Sequence, residues 1–195
     1  MQITEDELLA PWKHKLSKKT YREFEEILVI EFISVTGGVF AGALLAHFLD
    51  KLALIPGLLI LMPGFLAMRG NISGAMAARL STALHLGLVL HDKDRHVLRS
   101  NTWAAFALGV LASVFLGIVA YLGTLLFFRM QSPDIILVAF IAGIISNLIM
   151  IPLTSWTTLW LFRHGHDPDN IMGPYITTVG DIVSVISLII AVVIA

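Results

Sequence analysis

Residues 52–90 read LALIPGLLILMPGFLAMRGNISGAMAARLSTALHLGLVL, a nearly unbroken apolar run of 39 residues. As one straight helix it would extend about 59 Å, twice the hydrocarbon thickness of a bilayer. Pro56, Pro63, Gly64, Gly70 and Gly74 argue for breaks. Two readings compete: two complete spans, or one broken, tilted span that continues as an amphipathic helix beyond the membrane. Basic residues decide between them, because inside loops collect Lys and Arg. With one span and the N-terminus inside, nine basic residues fall inside (Lys13, Lys15, Lys18, Lys19, Arg22, Lys93, Arg95, Arg99, Arg163) and two outside (Lys51, Arg129). With two spans the tally falls to seven against five. The sequence therefore predicts one broken span here.

The flanking segments complete the count. Spans are expected at about 27–49, 103–128, 135–162 and 171–195. The fold class is thus all-α: a polytopic membrane protein with five transmembrane helices, the second broken. The N-terminus is expected inside and the C-terminus outside, in an inner or plasma membrane. Gly38 and Gly42 form a G-x-x-x-G on the first span, and Gly109, Ser113 and Gly117 form a ladder every fourth residue on the third. Small residues at that spacing let helices approach closely. Thr154, Ser155, Thr157 and Thr158 follow Pro152 on the fourth span, where hydroxyls re-satisfy backbone groups. Residues 1–26 are polar with a weak amphipathic pattern. They read as a cytoplasmic interfacial segment, or as a tail that sets topology, ahead of one five-span transmembrane domain over 27–195.

Composition agrees. Hydrophobic residues make up 57% of the chain and charged ones 14%, with mean hydropathy +0.85; soluble domains carry about 25% charged residues. The chain has no cysteine, which excludes disulfides and thiolate metal sites. Residues 1–26 lack the apolar core and cleavage site of a secretory leader. The basic residues are few and lie beside spans, so no nucleic-acid partner is expected; the lipid bilayer is. No Gly-x-Ser-x-Gly, H-E-x-x-H or phosphate-binding loop occurs, and the protein does not read as an enzyme.

Asp181 is the only acid within 171–195. A carboxylate at membrane depth costs roughly 2.5–3.5 kcal/mol on insertion scales, so its presence points to function or to a paired cation. On a helical projection Asn170, Gly173, Thr177, Asp181 and Ser184 share an arc of about 80°. Pro174 lies beside that stripe. A structural reading pairs Asp181 with Arg69 or Arg79. A second polar stretch, Met68 to Gly74, offers Gly70-Asn71 as a break in the second span, with carbonyls and an amide oxygen for an ion. These are hard oxygen donors, suited to Mg²⁺, Mn²⁺ or Na⁺. One carboxylate per chain suits a Mg²⁺ that keeps several waters, and a symmetric dimer would bring two Asp181 groups to one axis. The turn His164, His166, Asp167, Asp169 is a further metal candidate. Its alternative is a polar turn with Asp169 as a helix N-cap after Pro168. His47, His85, His91 and His96 read as interfacial.

Two of these stretches carry a resemblance. Leu66-Ala67-Met68-Arg69-Gly70-Asn71, followed by Ala77-Ala78-Arg79-Leu80-Ser81-Thr82-Ala83-Leu84-His85-Leu86-Gly87, resembles the first signature of the solute carrier 41 magnesium transporters. Asp167-Pro168-Asp169-Asn170, then Pro174, then Gly180-Asp181, resembles their second. The bacterial MgtE transporters are more distant relatives with the same five-span domain. The resemblance implies a Mg²⁺ pathway between two five-span domains. Asp181 would hold the hydrated ion, Gly173 and Thr177 would line the path, and Gly70 and Asn71 would contribute from the second span. Asp169 and Asn170 fall in the second signature and join this metal set. Eukaryotic members fuse two such domains; one domain here implies a parallel homodimer with its two-fold axis along the membrane normal. MgtE proteins carry large cytoplasmic sensor domains ahead of the spans, whereas about 26 residues precede them here. Arg69, just before Gly70-Asn71, is expected to put a cation close to this path, or else to pair with Asp169 or face headgroups. Two other functions remain open: a Na⁺- or H⁺-coupled carrier of another solute, and a non-transporting scaffold or accessory subunit.

Overall fold

The computed structural model describes residues 18–52, 55–89 and 95–195, and these are helical throughout apart from short turns. The helices are α1 (Lys18–His47), the single-turn α2 (Leu49–Leu52), α3 (Leu58–His85), α4 (Arg95–Phe128), α5 (Asp134–Arg163) and α6 (Pro168–Ile194). Five of them, all but α2, are long and apolar enough to cross a membrane. The expected interfacial segment falls mostly outside the described residues; from Lys18 onward the chain is already part of α1.

The long apolar run crosses once, as the basic-residue count predicts, but its breaks lie at the ends of α3. Gly57 takes a left-handed conformation (φ 86°) just before α3. A side chain there would run into Thr124, so the position needs glycine. At the other end Leu88 N–H reaches the Ala83 carbonyl at 2.8 Å and Gly87 has φ 72°, the Schellman stop. Between them α3 runs without interruption through Pro63 and through Gly70-Asn71. The expected internal break at Gly70-Asn71 is therefore corrected. An unwound turn leaves backbone groups unpaired in an apolar interior, whereas a glycine inside a helix costs only about 1 kcal/mol.

α5 is the hub and packs against α3, α4 and α6. Leu58, Leu61, Met62 and Phe65 of α3 meet Ile135, Val138, Ala139 and Ala142 of α5, closed by Ala120, Leu188 and Ala191. A second apolar cluster joins Ala77, Met150, Leu161, Met172 and Ile176. The small-residue ladder of α4 lies on α5 as expected: Gly109 faces Asn147, Ser113 faces Gly143, and Gly117 faces Ile136 and Ala139. The hydroxyls after Pro152 are structural in part. Ser155 and Thr158 bond back to the Ile151 and Thr154 carbonyls, while Thr157 donates to the Tyr175 hydroxyl at 3.1 Å.

α1 is the least buried span and leans chiefly on α6. Its contact glycine is Gly37, against Thr178; Gly38 and Gly42 have open space over them. The G-x-x-x-G of α1 is thus not the packing face within the chain. Ser34 donates to the Pro174 carbonyl at 3.2 Å, and Thr178 lies 2.8 Å from Ser34 Oγ. Pro174 removes the N–H that would bond the Asn170 carbonyl, and the Ser34 and Thr178 hydroxyls join α1 to α6 at the turn that follows.

Candidate cation site

A cleft of ≈ 370 Å³ lies between α3 and α6. Leu66, Ala67, Gly70, Asn71 and Gly74 form its α3 wall; Gly173, Ile176, Thr177, Gly180 and Asp181 form its α6 wall. Helical periodicity creates both walls, since positions three, four and seven apart share a face. Five residues singled out from the sequence, Gly70, Asn71, Gly173, Thr177 and Asp181, therefore converge on one space. Asp181 is half-buried; Asn71, Gly173 and Thr177 are exposed on the single chain. Thr177 donates its hydroxyl hydrogen to the Gly173 carbonyl at 3.1 Å, which turns the oxygen lone pairs outward. No atom lies within 4 Å of a Cβ placed on Gly70, Gly74 or Gly173, so the glycines keep the cleft wide.

Among the described residues, no basic side chain lines the cleft. Arg69 is 1% exposed and points the other way, into the bundle. It donates to Asn147 Oδ1 and, at 2.9 Å, to the Ser146 carbonyl of α5. The expectation that Arg69 pairs with Asp169 or with headgroups is overturned. Arg69 and Asn71 are two positions apart, about 200° around the helix, so the turn that presents Asn71 to the cleft sends Arg69 to the core. Arg79 stays exposed and folds back on the Ala75 carbonyl at 3.0 Å. Neither arginine holds Asp181.

Asp169 and Asn170 lie outside the cleft lining. α6 begins at Pro168, so they occupy its first turn, roughly 16–18 Å along the axis from Asp181. The N-cap is Asp167, not Asp169: its carboxylate accepts from the Asp169 N–H at 3.0 Å. Proline has no N–H and favours the first helical position, which puts the cap one residue before it. Ser184, on the same projected stripe, is fully buried. The histidines of the turn separate as well. His164 donates from Nδ1 to the Trp160 carbonyl at 2.8 Å, and His166 Nδ1 lies 3.6 Å from Glu26. His85 joins Asp167 and Asp169 instead.

The sequence reading passed over Ala67 and Gly74 as lining residues. Their spacing with Gly70, three and four residues either side, is the signal that places them on one face of α3.

Comparisons with known proteins bear on the same helices. The family model described as MgtE, divalent cation transporter, matches residues 62–191, which takes in both walls of the cleft. Over 193 residues the chain is 27% identical to solute carrier family 41 member 2 of Xenopus laevis, covering 92% of this chain and 33% of that protein. The chain thus spans about a third of the length of this relative. No solved structure matches.

Proposed function

Because the chain belongs to the MgtE family of divalent cation transporters, we propose that the α3–α6 cleft is where the ion crosses the hydrocarbon layer and that Mg²⁺ is the cargo. The observation that carries this reading is the convergence of Asp181 with Asn71, Thr177 and Gly173 in a cleft that no basic side chain among the described residues lines. A lone carboxylate with neutral oxygen donors cannot replace the full shell of Mg²⁺, which takes six ligands in octahedral geometry and gives up water reluctantly. It suits an ion that keeps its waters. Six waters need about 180 Å³ at about 30 Å³ each, and the cleft offers ≈ 370 Å³.

Two copies complete the site in this proposal. Asn71, Gly173 and Thr177 are exposed on the flank of one chain. Left against lipid, a wall of amide, hydroxyl and carboxylate is costly. Setting the same face against its two-fold mate covers it, encloses the water and doubles the negative field on the ion. The rival in which Asp181 is a dry structural acid requires a cation beside it, and both available arginines are engaged elsewhere. The experiment is Mg²⁺ flux into liposomes holding purified protein. Asp181→Asn is expected to abolish flux while leaving the fold and the dimer intact; undiminished flux would remove the site from the pathway. Mg²⁺-independent flux of Na⁺ or H⁺ would assign a different cargo.

A further inference from the structure

Where α3 ends and α6 begins, His85, Asp167 and Asp169 bring one ring nitrogen and two carboxylate oxygens within 4.8 Å of one another. The three residues come from the last position of α3, the N-cap of α6 and its first turn. We propose that this cluster is a second, separate metal site, built for a divalent first-row transition ion such as Zn²⁺ or Co²⁺ rather than for Mg²⁺.

The argument starts from the imidazole. Its Nδ1 lies 2.9 Å from the Ser81 carbonyl oxygen, one turn back on α3. A carbonyl only accepts, so Nδ1 must carry the hydrogen. The other nitrogen, Nε2, then faces Asp167 Oδ1 at 4.0 Å. A hydrogen bond from the far nitrogen to a backbone carbonyl is the support that metal-ligating histidines almost always have, because it fixes the ring and selects the ligating nitrogen. Phe162 of α5 holds the same ring edge-on, with centroids 5.2 Å apart. The imidazole is thus aimed from two sides at a pair of acceptors. Three acceptors thus converge, Asp167 Oδ1 also accepting from the Asp169 N–H, and a cation bound between them would neutralise both carboxylates.

Distances and chemistry select the cation. Three donors about 2.0–2.2 Å from one metal lie about 3.3–3.8 Å from each other. Separations of up to 4.8 Å must therefore close by about 1–1.5 Å, which rotamer changes of side chains as exposed as His85 and Asp169 can supply. Asp167 caps α6 as it stands, but a carboxylate has about four acceptor sites, so capping leaves capacity for a metal. Imidazole suits Zn²⁺, Cu²⁺, Ni²⁺ and Fe²⁺, while Mg²⁺ prefers oxygen alone. One nitrogen and two oxygens therefore distinguish this cluster from the all-oxygen cleft. The two sites lie along the same α3–α6 seam, and their carboxylate-bearing residues Asp169 and Asp181 are about 18 Å apart along α6.

The test is binding, so it does not rest on the transport reading. Full-length protein in detergent near neutral pH is titrated with Zn²⁺ by calorimetry, and with Co²⁺ while its visible absorption is recorded. Wild type is expected to bind one more Zn²⁺ per chain than His85→Ala, or to bind it at least about tenfold more tightly, since losing even a supporting hydrogen bond to a ligand costs that much. Asp169→Asn should weaken binding too. His164→Ala should leave it unchanged, and millimolar Mg²⁺ should not displace the metal. Identical titrations for wild type and His85→Ala would overturn the proposal. Displacement by Mg²⁺ would overturn the assignment to a transition ion. His85 is exposed, and an unchanged melting temperature for His85→Ala separates a lost ligand from a lost fold.

Discussion

Thr178 Oγ1 lies 2.8 Å from Ser34 Oγ, and both hydroxyls are within hydrogen-bond distance of the Pro174 carbonyl. This pair joins the least buried span to the helix that carries Asp181. In an apolar surrounding such bonds exchange with nothing. Ser34→Ala removes both the donor to Pro174 and the partner of Thr178. Each net bond contributes about 1 kcal/mol, so the variant is expected to lose about 1–2 kcal/mol, read from reversible unfolding in detergent. Ser34→Thr should retain most of it.

Asn147 is the only side chain that accepts from Arg69 among the described residues, and it sits over Gly109. Asn147→Leu removes the acceptor and leaves a buried guanidinium with one carbonyl. The expected loss is about 2–3 kcal/mol, the scale of a hydrogen bond to a charged group. Combining it with Arg69→Met removes the stranded charge and should recover part of that loss. A double-mutant cycle measures the coupling; strict additivity would show that the two residues do not act as a pair.

The α4–α5 seam gives a steric prediction. A Cβ on Gly143 would meet both Cβ and Oγ of Ser113, atoms too close to the backbone to swing aside. Gly143→Ala should cost about 1–3 kcal/mol through overpacking. Gly38→Ala meets nothing within 4 Å and serves as the control. It should be neutral or slightly stabilising, because alanine favours a helix over glycine by about 1 kcal/mol.

The cleft glycines separate stability from transport. A Cβ on Gly173 has no neighbour within 4 Å. Gly173→Ala should fold at least as well as wild type, with melting temperature unchanged or raised. The added methyl enters the space assigned to the hydrated ion, so Mg²⁺ flux should fall. Unaltered flux from a stable Gly173→Leu variant would place the ion's route away from this wall.

Hydropathy and charge alone give five spans, the single crossing of residues 52–90 and the polar face around Asp181. These are local properties of a chain in lipid, where each helix satisfies its own backbone. The α4 ladder is legible for the same reason, since spacing alone puts Gly109, Ser113 and Gly117 on one face. What stays hidden is which partner a polar side chain takes. Arg69 finds Asn147 78 residues away, and His85 finds Asp167 across the seam. Neither pairing has a periodicity to announce it. The continuity of α3 through Gly70-Asn71 is hidden too, because the weak helix preference of one glycine is outweighed by the need to keep backbone groups paired. Asp169 and Asn170 share the signature of Asp181 in the sequence but not its space, because a helix separates them by several turns.

Arg69 pointing inward while Asn71 points outward keys α3 like a shaft in its bearing. Turning the helix about its own axis far enough to withdraw the Asn71 amide would drag a guanidinium out of its socket on α5. Tilting or sliding of α3 together with α5 leaves that socket intact, so the Arg69–Asn147 contact resists rotation of α3 and no other rigid-body motion of the pair.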